Sequence, residues 1–314
     1  MGSEMRRKIF FLMSVLFFCY SFNSELLEKK AEERKNKIGD FGFMVMSPKT
    51  GKVFFVYHPE LIYQESFSSG SLIKALALLA YSKKYPLDPN QVFHCNGFKT
   101  FEDPDKICWY GPGHGDINLI EAIAYSCNSY FYEVIVKNKI TQKDLIAVLD
   151  ELAVPSLFKN TLLPEQEFQK AAVGLGIAIP VKPFDLFKAF VSFFNGGYLY
   201  NEKGEIEKWV SYPSDWVEIM RQGMRGAFLY GTAKKIFQKN KSLPLMIKTG
   251  TGASSKNGVY DWRKTIAWAI AFYPSENPEL ALLSVVRKGR GGEEAAFTIE
   301  EFLSLILNPN RILK

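Results

Sequence analysis

The sequence predicts one large domain of the α+β or α/β kind, with strands and helices sharing a core. Three observations predict it. The chain has 314 residues of which 47% are hydrophobic, enough to bury a sizeable core. A run near the start alternates like a hairpin, and two strand-like runs near the end lead into an amphipathic helix. The formal net charge of +6 (39 basic minus 33 acidic residues) is mild, and three of the positives are Arg6, Arg7 and Lys8. No Arg/Lys cluster is interleaved with aromatics, so no nucleic-acid partner is expected. The chain contains no internal repeat and no low-complexity segment.

In chain order, Arg6-Arg7-Lys8 precedes the apolar run Ile9–Phe18, a basic region followed by a hydrophobic stretch that is short for a membrane span. Residues 1–24 are therefore read as a signal peptide or an N-terminal membrane anchor. Three fates are open: cleavage near Ser21 or Ser24, lipidation at Cys19, or retention as an anchor. Phe18 is a poor match to the small residue that precedes lipidated cysteines. Each fate exports the remainder. Residues 25–39 read as a charged helical spacer with a solvated face, and residues 40–314 as the domain. Phe41–Val56 alternates like two strands around a Pro48/Gly51 turn. Leu72–Ala80 is almost wholly apolar and reads as a buried helix whose one charge is Lys74. A Gly111–Gly115 loop precedes a helical pattern around Ser126, and Leu245–Gly252 opens a strand. Thr265–Pro274 and Leu280–Val286 read as closing strands, with residues 297–307 as the final helix.

Three motifs occur in fixed order: Ser71-Leu72-Ile73-Lys74, Ser126-Cys127-Asn128 and Lys248-Thr249-Gly250. One helical turn separates Ser71 from Lys74, so both face one way near a helix N-terminus, where unpaired amides favour developing negative charge. Burial lowers a lysine's pKa, and a neutral lysine can take the proton from Ser71. A serine cap with a lysine reaching solvent is the better reading of one such motif in isolation; the company of the other two reverses it. Ser126 is placed to relay a proton between Lys74 and a leaving nitrogen, and Asn128 to bond a substrate amide, although both suit an ordinary helix corner. In the third motif Lys248 and Thr249 suit a terminal carboxylate, and Gly250 and Gly252 admit a second backbone at the strand edge. A second Ser-x-x-Lys, Ser156–Lys159, follows Pro155 and comes after Asn128, so it cannot open the series.

This ordered set resembles the penicillin-binding proteins of the DD-transpeptidase kind and their relatives the serine β-lactamases. The similarity covers about residues 40 to 307, with Val173–Gly176, Asn195-Gly196-Gly197 and Gly231-Thr232-Ala233 also matching. It implies a β-lactamase/transpeptidase-like fold: a central antiparallel sheet flanked by helices, with an all-helical subdomain. It implies Ser71, Lys74, Ser126 and Lys248 as catalytic residues, and Asn128, Thr249, Gly250 and Thr251 as substrate-binding ones. The amides of Ser71 and Thr251 would form the oxyanion hole. The expected reaction is acyl transfer on D-Ala-D-Ala stem peptides of peptidoglycan, with β-lactams acylating the same serine. Other cell-wall synthesis proteins are candidate partners, the cytoplasmic membrane lies nearby through the N-terminus, and the location is periplasmic or the outer face of that membrane. No cofactor is expected.

The alternatives are a DD-carboxypeptidase, a β-lactamase, and a non-enzymatic β-lactam sensor or scaffold. One β-lactamase class uses a glutamate in Glu-x-x-Leu-Asn; Glu165-Gln166-Glu167-Phe168-Gln169 lies in that region without the Leu-Asn. A sensor normally needs a membrane-spanning signalling part, and nothing after the N-terminal segment supplies one. Cys95 and Cys108 bracket twelve residues, and in an oxidising compartment a disulfide is the first expectation. A metal site using His94 and His114 ranks below it for want of a compact spacing, so no metal is expected. Cys127 reads as a small packing residue, and Trp109 and Tyr110 as cleft or core aromatics.

Overall fold

The computed structural model describes residues 23–97, 107–176, 179–256 and 259–309. The expected leader and Cys19 fall outside them. Among the described residues are eleven strands: β1 Phe41–Met46, β2 Val53–Tyr57, β3 Phe67–Ser68, β4 Phe93–Cys95, β5 Gly115–Ile117, β6 Pro180–Val181, β7 Tyr198–Tyr200, β8 Ile206–Trp209, β9 Met246–Lys256, β10 Val259–Tyr273 and β11 Leu280–Arg287. Five make one antiparallel sheet in the order β2-β1-β11-β10-β9, and the other six pair into three small two-stranded ribbons. The hairpin and closing strands expected from sequence are β1–β2 and β10–β11, and the third motif opens β9.

Period-2 alternation divides the sheet between two cores. Met44 and Met46, Trp268, Ile270 and Phe272, and Leu283 and Val285 join the larger core beneath the helical region. Phe41, Phe43 and Val45, Ala267, Ala269 and Ala271, and Leu280 and Leu282 face the other way. Both faces are therefore covered, which is why β1 is buried at every position. The second core is closed by the terminal helices Ser24–Ile38 and Ala296–Leu307, with Phe302 stacked on Phe43 at 4.1 Å.

That docking alters the reading of residues 25–39. The segment is helical, but it is not a freely solvated spacer: Leu27, Ala31 and Arg34 are buried. Arg34 donates to the Thr298 hydroxyl and the Glu294 carbonyl and pairs with Glu301. A guanidinium with several acceptors can be buried where a lone cation could not.

In the helical region, Ile73–Ser82 is buried at every position from Ile73 to Ala80. The Ser214–Leu229 helix presses on Leu119–Ala124 through Gly223 and Gly226, where an added Cβ would meet Ile123 at 2.5 Å and Ala124 at 2.9 Å. This close contact fixes the turn that carries Ser126. Among the described residues, no helix is long and apolar enough to cross a membrane.

Candidate active site

Ser71 lies in the 3₁₀ turn Gly70–Leu72, which runs directly into the Ile73–Ser82 helix. Three glycines clamp this turn. A Cβ on Gly70, at φ +51°, would lie 2.5 Å from the Thr251 carbonyl oxygen; one on Gly174, at φ +81°, 2.5 Å from the Gly70 carbonyl oxygen; one on Gly252, 2.4 Å from the Ser68 carbonyl oxygen. The backbone that approaches β9 at its glycines is thus, in the free protein, Ser71's own segment. The Trp268 indole N–H donates to the Ser68 carbonyl at 2.8 Å and ties the same segment to β10.

One turn beyond Ser71, Lys74 is fully buried. Its ammonium donates to Ser71 Oγ at 2.8 Å and to Asn128 Oδ1 at 2.7 Å, and lies 5.9 Å from the centre of the Phe131 ring. Burial pushes its pKa down to about 7, opposed only by Cys108 and Cys127 and by no carboxylate. The neutral amine that a general base requires is therefore well populated near neutral pH.

Ser126 occupies the corner between two helices at φ +52°, a left-handed conformation that is strained for a side chain of this kind. Its hydroxyl accepts from Lys248 Nζ at 2.9 Å, and the same ammonium donates to the Thr249 carbonyl at 2.9 Å. Lys248 is as buried as Lys74, and both desolvation and the charge of Lys74 hold its pKa well below the ordinary lysine range. Alternation along β9 sends Lys248 to the helical side and Thr249 to the opposite side, where its hydroxyl donates to Thr232 Oγ1 at 2.7 Å. The Thr251 hydroxyl accepts from the Gly291 amide at 3.1 Å.

All three motifs therefore meet in one cleft, with β9 at the free edge of the sheet, but two details differ from expectation. Ser126 is bonded to Lys248 rather than Lys74, because the left-handed corner turns its hydroxyl toward β9. Asn128 accepts from Lys74 through Oδ1 and donates through Nδ2 to the Ile107 carbonyl at 3.1 Å, so it orients Lys74. Sequence reasoning noted Thr232 without assigning it a role; its only signal was a hydroxyl residue shortly before the third motif. The rejected Ser156 is elsewhere, donating to the Pro180 carbonyl while Lys159 pairs with Asp150.

Residues 41–303 match the model of the penicillin binding protein transpeptidase domain. The chain belongs to this family. Its members are serine acyl-transfer enzymes, and their fold is the one described above. Penicillin-binding protein 2 of Helicobacter pylori, solved in complex with MreC, superposes with a TM-score of 0.73 at 19% identity, over 90% of this chain and 63% of that one. The transpeptidase domain of Burkholderia pseudomallei penicillin-binding protein 3 gives 0.69 at 16% identity, over 93% and 95%. Pseudomonas aeruginosa PBP2, in complex with WCK 5153, gives 0.71 at 17%, over 91% and 74%. The chain thus spans less than two thirds of the Helicobacter protein's length. No curated protein matches it.

Within this family fold the cysteines depart from expectation. Cys95 and Cys108 are free thiols, not a disulfide. Both sulfurs turn instead toward His114 Nδ1, at 3.6 Å and 3.4 Å, and Cys108 Sγ lies 3.8 Å from Cys127 Sγ. His94 takes no part: exposed, it pairs with Asp116 at 2.6 Å. The spacing hid this convergence because one contributor, Cys127, lies inside the second motif and reads there as packing.

Proposed function

We propose that the chain is a penicillin-binding D,D-transpeptidase that cross-links peptidoglycan outside the cytoplasm, with Ser71 as its nucleophile. The observation that carries this reading is a half-buried Ser71 whose hydroxyl lies 2.8 Å from the buried amine of Lys74, with a pKa lowered to about 7. Ser71 Oγ attacks the carbonyl carbon between the two terminal D-alanines and passes its proton to Lys74. The amides of Ser71 and Thr251 receive the oxyanion, a role supported by the close approach of Gly70 to Thr251. The C–N bond then breaks, and its nitrogen takes a proton through Ser126 as D-alanine leaves. Lys248 holds the carboxylate of that residue, whose negative charge draws the lysine back to its protonated form; the Thr249 hydroxyl joins it by leaving its partner Thr232. An acceptor amine from a second stem peptide attacks the ester and loses its proton to Lys74, which returns it to Ser71 Oγ as the C–O bond breaks and the new amide forms. A β-lactam follows the first half of this path.

Among the described residues, the Glu165–Ala172 helix offers no glutamate to a fast β-lactamase deacylation. Glu165 and Glu167 are exposed, and the buried polar side chain of that helix is Gln169, which bonds Tyr132 and Glu165. This favours a long-lived acyl-enzyme over rapid drug hydrolysis. The MreC complex of the Helicobacter protein supports a cell-wall synthesis protein as partner here also.

The test is mass spectrometry of the purified chain with a β-lactam over time. A single adduct on Ser71 should persist for many minutes, vanish in Ser71→Ala with the fold retained, and be unchanged in Ser156→Ala. Fast adduct loss with release of hydrolysed drug would instead establish a β-lactamase, and labelling lost in Ser156→Ala would overturn the motif assignment.

A further inference from the structure

Beside the second motif lie three thiols and an imidazole that acyl transfer does not use. Cys95 ends β4, Cys108 follows Ile107, His114 precedes β5, and Cys127 stands between Ser126 and Asn128. Their ligand atoms all lie within 4.8 Å of one another. A tetrahedral zinc with Zn–S of about 2.3 Å and Zn–N of about 2.0 Å has edges of roughly 3.5–3.8 Å. The separations of 3.8 Å for Cys108–Cys127, and of 3.4 and 3.6 Å from His114 to Cys108 and Cys95, fit those edges. A disulfide would need sulfurs about 2.05 Å apart.

The backbone is shaped for this convergence. Gly97 and Gly113, at φ +81° and +84°, let the chain cross itself so closely that a Cβ would come within 2.0 Å of the Gly111 carbonyl oxygen and 2.2 Å of the Cys95 carbonyl oxygen respectively. Cysteines that merely pack in a core need no such crossing. The His114 ring stacks on Tyr125 at 5.0 Å between centres, 19° from parallel, which fixes the direction of Nδ1.

We propose that Cys95, Cys108, His114 and Cys127 form a zinc site that positions the second motif. Three thiols give up their protons as thiolates and His114 binds through neutral Nδ1, so the centre carries two positive and three negative charges. Four protein ligands fill the tetrahedron, and with no position left for water or substrate the metal is structural. Thiolate-rich donors favour zinc over the hard cations magnesium and calcium. The consequence lies in Cys127. Its neighbours hold the two lysines: Asn128 bonds Lys74, and Ser126 bonds Lys248 from its strained corner. A metal on Cys127 pins that corner to the β4–β5 ribbon.

The experiment uses the full chain expressed with added zinc. Elemental analysis should find about one zinc per chain, and cobalt substitution should give tetrahedral visible bands with thiolate-to-metal absorption in the near ultraviolet. Cys95→Ser should lose the metal. Because that variant may misfold, the native chain is also stripped with a chelator. Stripping should lower the thermal midpoint and slow β-lactam acylation of Ser71 by about 10²-fold, the penalty typical of a misplaced catalytic group, and zinc should restore both. No stoichiometric metal, with three thiols titrating equally with and without zinc, would overturn the site, as would a Cys95–Cys108 disulfide found by peptide mapping. Bound zinc whose removal leaves acylation unchanged would overturn the positioning role. Metal content is read independently of acylation, so failure here is distinct from failure of the transpeptidase reading.

Discussion

Two serine–lysine pairs share this cleft and are built by opposite means. Ser71 and Lys74 are three residues apart on one turn, and any chain that forms the helix forms the pair. Ser126 and Lys248 are 122 residues apart and meet only when the edge strand docks on the helical region. Both lysines are buried without a carboxylate partner, and the charge of Lys74 further depresses Lys248. The local pair is thus self-contained, whereas the distant pair reports how well two halves of the domain are assembled. On the proposed mechanism, chemistry is vested in the pair that is cheapest to form, and recognition in the pair that requires the whole fold.

The largest effect that separates the two comes from truncating each lysine. Lys74→Ala should slow β-lactam acylation about 10²–10⁴-fold, the range for removing a positioned general base. Lys248→Ala should cost about 1.5–3 kcal/mol, the range for a hydrogen bond to a charged group. Second-order acylation rates for the two variants are the measurement; a loss for Lys248→Ala as deep as that for Lys74→Ala would make both pairs part of one proton path.

Titration gives the next effect. On the proposed mechanism deprotonated Lys74 is the active form, so acylation should rise with pH through about 7 and fall about tenfold per unit below it. The same shift has a stability consequence of defined sign. Between about 7 and the ordinary lysine value of 10.5 the unfolded chain binds a proton that the folded chain does not, so stability should fall as pH drops through that window and be unaffected by Lys74 below it. Rates and melting curves from pH 6 to 10 test both; a flat rate profile would show that Lys74 is not the titrating base.

The smallest expected effect is on the far side of the edge strand. Thr232→Val removes the partner of Thr249 and should cost about 0.5–1.5 kcal/mol of stability, with acylation falling only a few-fold. A larger rate loss would mean that Thr232 acts through Thr249 on substrate binding.

What could be read from sequence follows the same division. The Ser71–Lys74 pair, the β1–β2 hairpin and the closing strands rest on spacings of a few residues, where periodicity and sterics decide, and the structure has them where the residues suggested. Ser126's true partner, Asn128's hold on Lys74, Thr232's role and the meeting of Cys95, Cys108, His114 and Cys127 depend on long-range docking, for which one sequence carries no local signal. The terminal helix is the instructive intermediate. Its charges in residues 25–37 marked it as solvated, but the charges that mattered were on its partner: Glu301 and the Glu294 carbonyl make a buried Arg34 tolerable.

The glycine clamp around Ser71 bears on how such an enzyme evolves under antibiotic pressure. Escape by reshaping a drug target needs slack beside the reactive atom. At Gly70, Gly174 and Gly252 the nearest obstacle to any larger residue is a main-chain atom, which cannot rotate aside as a neighbouring side chain would. Adaptive change is therefore steered outward to the rim, where Trp109 and Tyr110 are exposed. In a saturation library grown under a β-lactam, surviving substitutions should gather at those aromatics while the three glycines stay invariant, so the route to resistance is narrowed by the geometry of the backbone itself.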